Sequence, residues 1–196
     1  MIVLVRHGQT AANATGLLQG HADLPLSDVG RGQAAALSVA LAASGATRVI
    51  TSPLQRAMHT AAPIAAALGI DATIEDRLVE LDYGEWDGRA LVDVGGHEWA
   101  SWRADPNFAP PNGESLRAVR LRVESWLADE AQRDDIVVAV SHVSPIKAAI
   151  CAVIGAGEGS TWRMHLDVAS VSRLARRPGG IVLIGYNEVV PQRARG

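Results

Sequence analysis

The spacing of apolar and polar positions changes period several times along the chain, and each change marks an element. The opening run MIVLV is apolar without a break, as a strand covered on both faces would be. SDVGRGQAAALSVALAASG then predicts a helix with Ser27 as N-cap and Gly45 near its C-terminal end. RVITS predicts a second strand. Ser52 and Pro53 follow it as a cap and first-turn pair for a helix over LQRAMHTAAPIAAALG, inside which Pro63 predicts a kink or break. IVVAVSH is a further strand, and SPIKAAICAVIG repeats the Ser-Pro signature at a helix start. VASVSRLARRPGGIVLIGYN predicts two antiparallel strands joined at Pro178-Gly179-Gly180. Between Gly84 and Asn112 the pattern is less regular, with Trp99 and Trp102 in a short helix. The amphipathic ESLRAVRLRVESWLADEAQR comes next, with Asn112 or Gly113 as its cap. Strand-helix alternation of this kind predicts an α/β fold, a three-layer α/β/α sandwich with a mostly parallel central sheet. No stretch has the composition of a linker, so a single domain over residues 1–196 is expected.

Composition narrows the picture. A hydrophobic content of 48% in 196 residues suffices for one sizeable core. The formal net charge of −3 gives no cationic excess suited to a nucleic-acid backbone or an anionic membrane, so any positive site must be local. Cys151 is the sole cysteine and lies in an apolar run, which excludes an intrachain disulfide and predicts a buried small hydrophobe. Met1 leads straight into the first strand with no leader pattern, and no apolar run reaches the ~20 residues that span a bilayer. A soluble, cytoplasmic protein is expected.

Candidate chemistry enters with LVRHGQT, Leu4 to Thr10. In an open parallel sheet, residues just past the carboxyl ends of the strands converge on one crevice. The first strand ends in Arg6 and His7, the second leads through Thr51 and Ser52 to Arg56 in a first helical turn, and IVVAV ends in Ser141 and His142. Arginines and histidines thus meet beside helix N-termini, a setting for phosphate or sulfate. The planar guanidinium fork suits such an anion, and Asn13 adds an amide donor. A neutral imidazole is also a nucleophile, and Arg6, Arg56 and a protonated His142 would disfavour charge on His7. Phosphoryl transfer to His7 is then chemically open, with the arginines neutralising the phosphoryl oxygens. The leaving alkoxide needs a proton, for which RLVELDYGEWDG offers Glu80, Asp82 and Glu85; spacing does not choose among them.

LVRHGQT with Asn13, TSPLQRAMHTA, LVELDYGEWDG, NGES and VSHVSPI stand in the order found in the histidine phosphatase superfamily, also called phosphoglycerate-mutase-like, and the chain resembles its phosphatase branch over nearly its whole length. The resemblance implies that His7 forms a phosphohistidine while Arg6, Asn13, Arg56 and His142 hold the phosphoryl group. It places the proton donor at Glu80, with Asp82 and Glu85 secondary. It implies a metal-independent phosphomonoesterase with no cofactor, acting on a small phosphorylated substrate; a monomer or homodimer is expected. Two departures stand out: Val143 replaces the glycine common after the second histidine, and Gln9 stands where many members carry glutamate. Val143 requires either ordinary backbone or a rearranged pocket wall there.

A phosphoglycerate-type mutase is the alternative, but the segment from Gly88 to His142 is short for the insertions that such members carry. A non-catalytic phosphate-binding module would have no need of nucleophile and acid together. His21, His59, His97 and His165 show no metal-ligand spacing, and GAGEGS reads as a helix-ending loop. The surface that selects a substrate is expected from the Leu17 to Asp23 loop, with Gln19, Gly20 and His21, from residues 89–111, and around Trp162.

Overall fold

The computed structural model describes residues 1–191, so residues 192–196 of the expected span lie outside it. Strands β1 (Ile2–Arg6), β2 (Arg48–Thr51), β3 (Ala72–Ile74), β4 (Val137–Ser141), β5 (Ser170–Arg177) and β6 (Gly180–Val189) form a six-stranded sheet in the order β3-β2-β4-β1-β5-β6. The first four are mutually parallel, whereas β5 runs antiparallel to β1 and β6 antiparallel to β5. The helices are α1 (Ala11–Thr15), α2 (Asp28–Leu41), α3 (Gln55–Leu68), α4 (Gly96–Ala104), α5 (Leu116–Ala131) and α6 (Val143–Val153). None is long and apolar enough to cross a membrane among the described residues.

Two cores explain the unbroken apolar strands. Val3, Val5, Val138 and Val140 pack with Leu37 and Leu41 of α2 and with Ala57, Ala61 and Ile64 of α3. Their neighbours Ile2, Leu4, Val137 and Ala139 face the other way, onto Val119, Val123 and Trp126 of α5 and Ile146 and Ile150 of α6. Successive strand residues point to opposite faces, so helices on both faces require an apolar residue at every position. The glycine after His7 has a different cause. A Cβ on Gly8 would lie 2.6 Å from the carbonyl oxygen of Gly30 in α2, and one on Gly30 would lie 2.1 Å from that of Gln9. Backbone meets backbone here, which draws the start of α2 against the segment leaving β1.

Four local expectations need correction. Leu54, not Ser52, is the N-cap of α3, and His142, not Ser144, is the N-cap of α6. Ser144 and Pro145 therefore lie inside the first turn of α6, where Pro145 loses no intrahelical bond because the first N–H groups have no partner. Ser115 caps α5 by accepting from the Ala118 amide at 3.2 Å, in place of Asn112 or Gly113. Helix α3 runs unbroken through Pro63, because Ala61, Ile64 and Ala65 on either side of it are buried in the core. Val143 is an ordinary helical residue, absent from the positive-φ positions, so it rearranges nothing. Cys151 is buried and free.

Candidate active site

The parallel topology brings the predicted cluster together. His7 extends β1 by one backbone bond, its N–H donating to Ser141 O at 3.0 Å, and the Ser52 N–H donates to Val140 O at 3.0 Å. These pairings hold the ends of β1, β2 and β4 level, and His7 and His142 lie with ring centroids 5.0 Å apart. Exposure is 3% for His7, 1% for Arg56, 2% for Glu80 and 0% for His142, so the cluster is interior and its charges are poorly solvated.

The hydrogen bonds fix the tautomers. A carbonyl only accepts, so the 2.7 Å contact between His7 Nδ1 and Gly8 O places the proton on Nδ1 and the lone pair on Nε2. The Arg56 Nε–H only donates and reaches His142 Nδ1 at 3.2 Å. In the neutral ring the His142 proton is then on Nε2, donated to Ser52 Oγ at 2.7 Å. Burial first, then the guanidinium groups of Arg6 and Arg56, hold His7 well below the ordinary histidine range. Burial likewise pushes His142 well down, followed by His7, Arg56 and Arg6. His142 is therefore neutral, which departs from the protonated form expected to crowd His7. Burial and the arginines suffice to keep His7 uncharged.

Neither active-site arginine forms an ion pair among the described residues. Arg56 donates to the carbonyls of Ala22 at 3.0 Å and Gly20 at 2.7 Å. Arg6 donates through Nη1 to Leu166 O at 2.6 Å, and its covered Nε has no partner among the described residues. Burial lowers the pKa of both guanidinium groups, with Glu80 opposing it most. Two poorly solvated cations without a bonded carboxylate make the crevice a site for an anion.

Among the three candidate acids, the structure brings only Glu80 into the cluster. Its Oε1 accepts from the amides of Leu81 at 2.8 Å and Ser144 at 3.2 Å, which leaves Oε2 to exchange a proton. Asp82 instead accepts from the Gly84 amide at 2.8 Å, and exposed Glu85 accepts from Asn112 at 2.9 Å. Asn13 lies in α1, where its Oδ1 accepts from the Thr10 amide at 3.1 Å, so its Nδ2 is the donor that remains.

The expected substrate-loop residues divide. Gln19 is buried, with Oε1 accepting from Thr10 Oγ1 at 2.6 Å and Nε2 donating to Ala22 O at 3.3 Å, so its side chain holds the loop together. Gly20 sits against the acid segment, where a Cβ would lie 2.8 Å from Tyr83 N. His21 is at the mouth, Nε2 donating to Glu80 O at 3.0 Å. Trp162 belongs to an aromatic cluster with Trp99 and Trp102, at centroid distances of 5.3 and 4.7 Å. Several supporting residues escaped the sequence reading. Asp87 accepts from the amides of Gly20 at 2.9 Å and Ala22 at 2.7 Å, clamping the loop whose carbonyls hold Arg56. Thr60 Oγ1 accepts from the Gly8 amide at 3.0 Å. Arg122, held by Glu114 at 2.9 Å, donates to the carbonyls of Arg77 at 2.6 Å and Glu80 at 3.3 Å. The only signals for these were the Asp in LDYGEWDG and the Glu in NGES. No group of three or more His, Cys, Asp or Glu side chains able to hold a metal ion occurs among the described residues.

Fold and site together set a neutral imidazole beside two arginines at the carboxyl end of a mostly parallel sheet, an arrangement suited to an anion. Residues 2–189 match the histidine phosphatase superfamily (branch 1), and the chain belongs to that family. It is 37% identical over 183 residues to a protein of Mycobacterium tuberculosis described as bifunctional, a match covering 87% of this chain and 49% of that protein, so it spans about half the relative's length. It is 34% identical over 177 residues to phosphoserine phosphatase 1 of Hydrogenobacter thermophilus, covering 87% and 84% of the two chains. Among solved structures it resembles the mycobacterial glucosyl-3-phosphoglycerate phosphatase complexed with VO3, with a TM-score of 0.84 and 30% identity over 95% of this chain and 98% of that one.

Proposed function

We propose that the protein is a phosphomonoesterase that works without a metal ion, through a phosphohistidine formed on His7. The observation that carries this reading is the lone pair of the buried, neutral His7 Nε2 set between two arginines that have no carboxylate bonded to them. Nε2 attacks phosphorus, and the bond from phosphorus to the ester oxygen breaks. Protonated Glu80 gives its proton to that oxygen, and the alcohol leaves. The positive charge gained by the ring is stabilised through Nδ1–H and its bond to Gly8 O, while Arg6, Arg56 and Asn13 bind the phosphoryl oxygens. Water then attacks the phosphohistidine, losing a proton to the Glu80 carboxylate, and inorganic phosphate departs with His7 neutral again. Two relatives support the reaction class, hydrolysis of a phosphate monoester, being named as phosphatases of phosphoserine and of glucosyl-3-phosphoglycerate.

The test is a rapid acid-free quench with an ester carrying labelled phosphorus. A base-stable, acid-labile label on His7, absent from His7→Ala, is expected, together with turnover that survives excess chelator. Full turnover by His7→Ala refutes the nucleophile, and loss of turnover to chelator that magnesium restores refutes the metal-free reaction.

A further inference from the structure

Beside the crevice is an open cavity of about 370 Å³ that shares Arg6 and Asn13 with the phosphate-binding cluster and includes no other member of it. One wall is formed by Leu17, Leu18 and Leu91. These leucines come from two loops tied together by backbone, with Leu18 N donating to Arg89 O at 2.8 Å, Gly88 N donating to Leu18 O at 2.9 Å, and Leu17 bridged to Ala90. Leu166 and Val168 also line it. That segment is fixed as well, because Arg6 donates to Leu166 O and the Ala169 amide donates to His7 O at 3.0 Å. Leu17 and Leu91 are 36% and 42% exposed although they line a concavity, which leaves leucine surface in water for a ligand to cover. The acidic lining residue is Asp167, whose carboxylate accepts from Asn187 Nδ2 at 2.8 Å and from His165 Nε2 at 3.0 Å. Those bonds keep it ionised, with its pKa below the usual carboxylate range.

We infer that this cavity receives the alcohol portion of the substrate, and that the preferred ester carries a ring or similarly bulky apolar group without a carboxylate of its own. The inference rests on the phosphomonoesterase reading and adds the substrate class. With the ester oxygen turned to Glu80, a substituent of more than a few carbons reaches the cavity past Arg6 and Asn13, which line both it and the phosphoryl site. A volume of about 370 Å³ is in the range of small-molecule pockets and exceeds what a two- or three-carbon alcohol fills. An apolar group entering it exchanges water for the walls of leucine and valine. A substituent carrying a carboxylate would meet the negative Asp167 in the lining.

The experiment measures kcat/KM for 2-(1-naphthyl)ethyl phosphate, ethyl phosphate and O-phosphoserine. All three are esters of primary alcohols, so the leaving oxygens differ little and the comparison reports substituent binding. The ring ester is expected to exceed ethyl phosphate by about tenfold or more, as a few well-buried carbons can supply, and to exceed O-phosphoserine as well. Leu91→Asp, at an exposed rim position that should not affect folding, is expected to lower kcat/KM for the ring ester about tenfold more than for ethyl phosphate. Leu17→Asp should act in the same direction. Equal kcat/KM for ring and ethyl esters, preference for O-phosphoserine, or parallel losses on all esters in both variants overturns the assignment of the cavity and leaves the phosphatase reading intact. Hydrolysis of none of the three by the wild-type protein overturns both.

Discussion

Glu80→Gln separates chemistry from architecture more sharply than any other substitution at this site. Glu80 Oε1 accepts from the Leu81 and Ser144 amides, and the carbonyl oxygen of a glutamine can accept both of those bonds. The acid segment is also held by Arg122 through the Glu80 carbonyl, which the substitution leaves in place. The fold should therefore survive, at a loss of no more than about 1–3 kcal/mol for placing an amide where the buried carboxyl oxygen Oε2 stood. What disappears is the proton for the departing alkoxide. Positioned general acids contribute about 10²- to 10⁴-fold, so kcat/KM on an alkyl phosphate should fall by that factor. p-Nitrophenolate leaves readily as the anion, so on p-nitrophenyl phosphate the loss should be less than about tenfold. The assay is a plot of log kcat/KM against leaving-group pKa for wild type and variant, over a series of aryl and alkyl phosphates. The variant's line should be markedly steeper. Parallel lines for a variant with native circular dichroism and a Tm within a few degrees of wild type would refute the assignment, because a lost proton donor cannot harm good and poor leaving groups alike.

Arg122→Met removes the bonds to the carbonyls of Arg77 and Glu80 and strands Glu114; a loss of about 2–4 kcal/mol in urea unfolding is expected, with Arg122→Lys rescuing poorly for want of the planar fork. Leu4→Ala empties a fully covered position between the sheet and α5–α6, and should cost about 2–5 kcal/mol with kcat nearly unchanged, measured by denaturation and steady-state kinetics. Stability should fall on acidification below the ordinary histidine value of 6.5, because His7 and His142 stay neutral when folded but take up protons when unfolded. Above that pH neither state is protonated and the two histidines contribute nothing to the slope. Below it each contributes about 1.4 kcal/mol per pH unit, down to its own depressed pKa, so His7→Asn should flatten the stability profile between pH 6.5 and 5 by about that much. An unchanged profile would mean that His7 is protonated in the folded protein.

The convergence of His7, Arg56 and His142 could be read from the sequence because of one geometric rule. His7, Arg56 and His142 follow strands β1, β2 and β4, parallel neighbours in the sheet, so the ends of three apolar runs separated by tens of residues had to converge. Glu80 needed the family resemblance, since burial alone distinguishes it from Asp82 and Glu85 and burial is set by the completed fold. The misreadings share a cause. Ser52 looks like a helix cap when only its neighbours are considered, but its hydroxyl serves His142, 90 residues away. Pro63 looks like a break because propensity says so, yet the flanking Ala61 and Ile64 are locked in a core that outweighs a penalty of about 3 kcal/mol. The charge on His142 depends on complete burial beside Arg56, which no pattern of letters records. Asp87, Arg122 and the leucine-lined cavity are tertiary in the same sense, since each joins loops that only the sheet brings together. On the proposed mechanism the nucleophile His7 belongs to a strand end, whereas the proton donor Glu80 and the groups that face the substrate belong to the loops between. Substitution of His7 should stop turnover on every ester, whereas substitutions in the loops should change which ester is preferred.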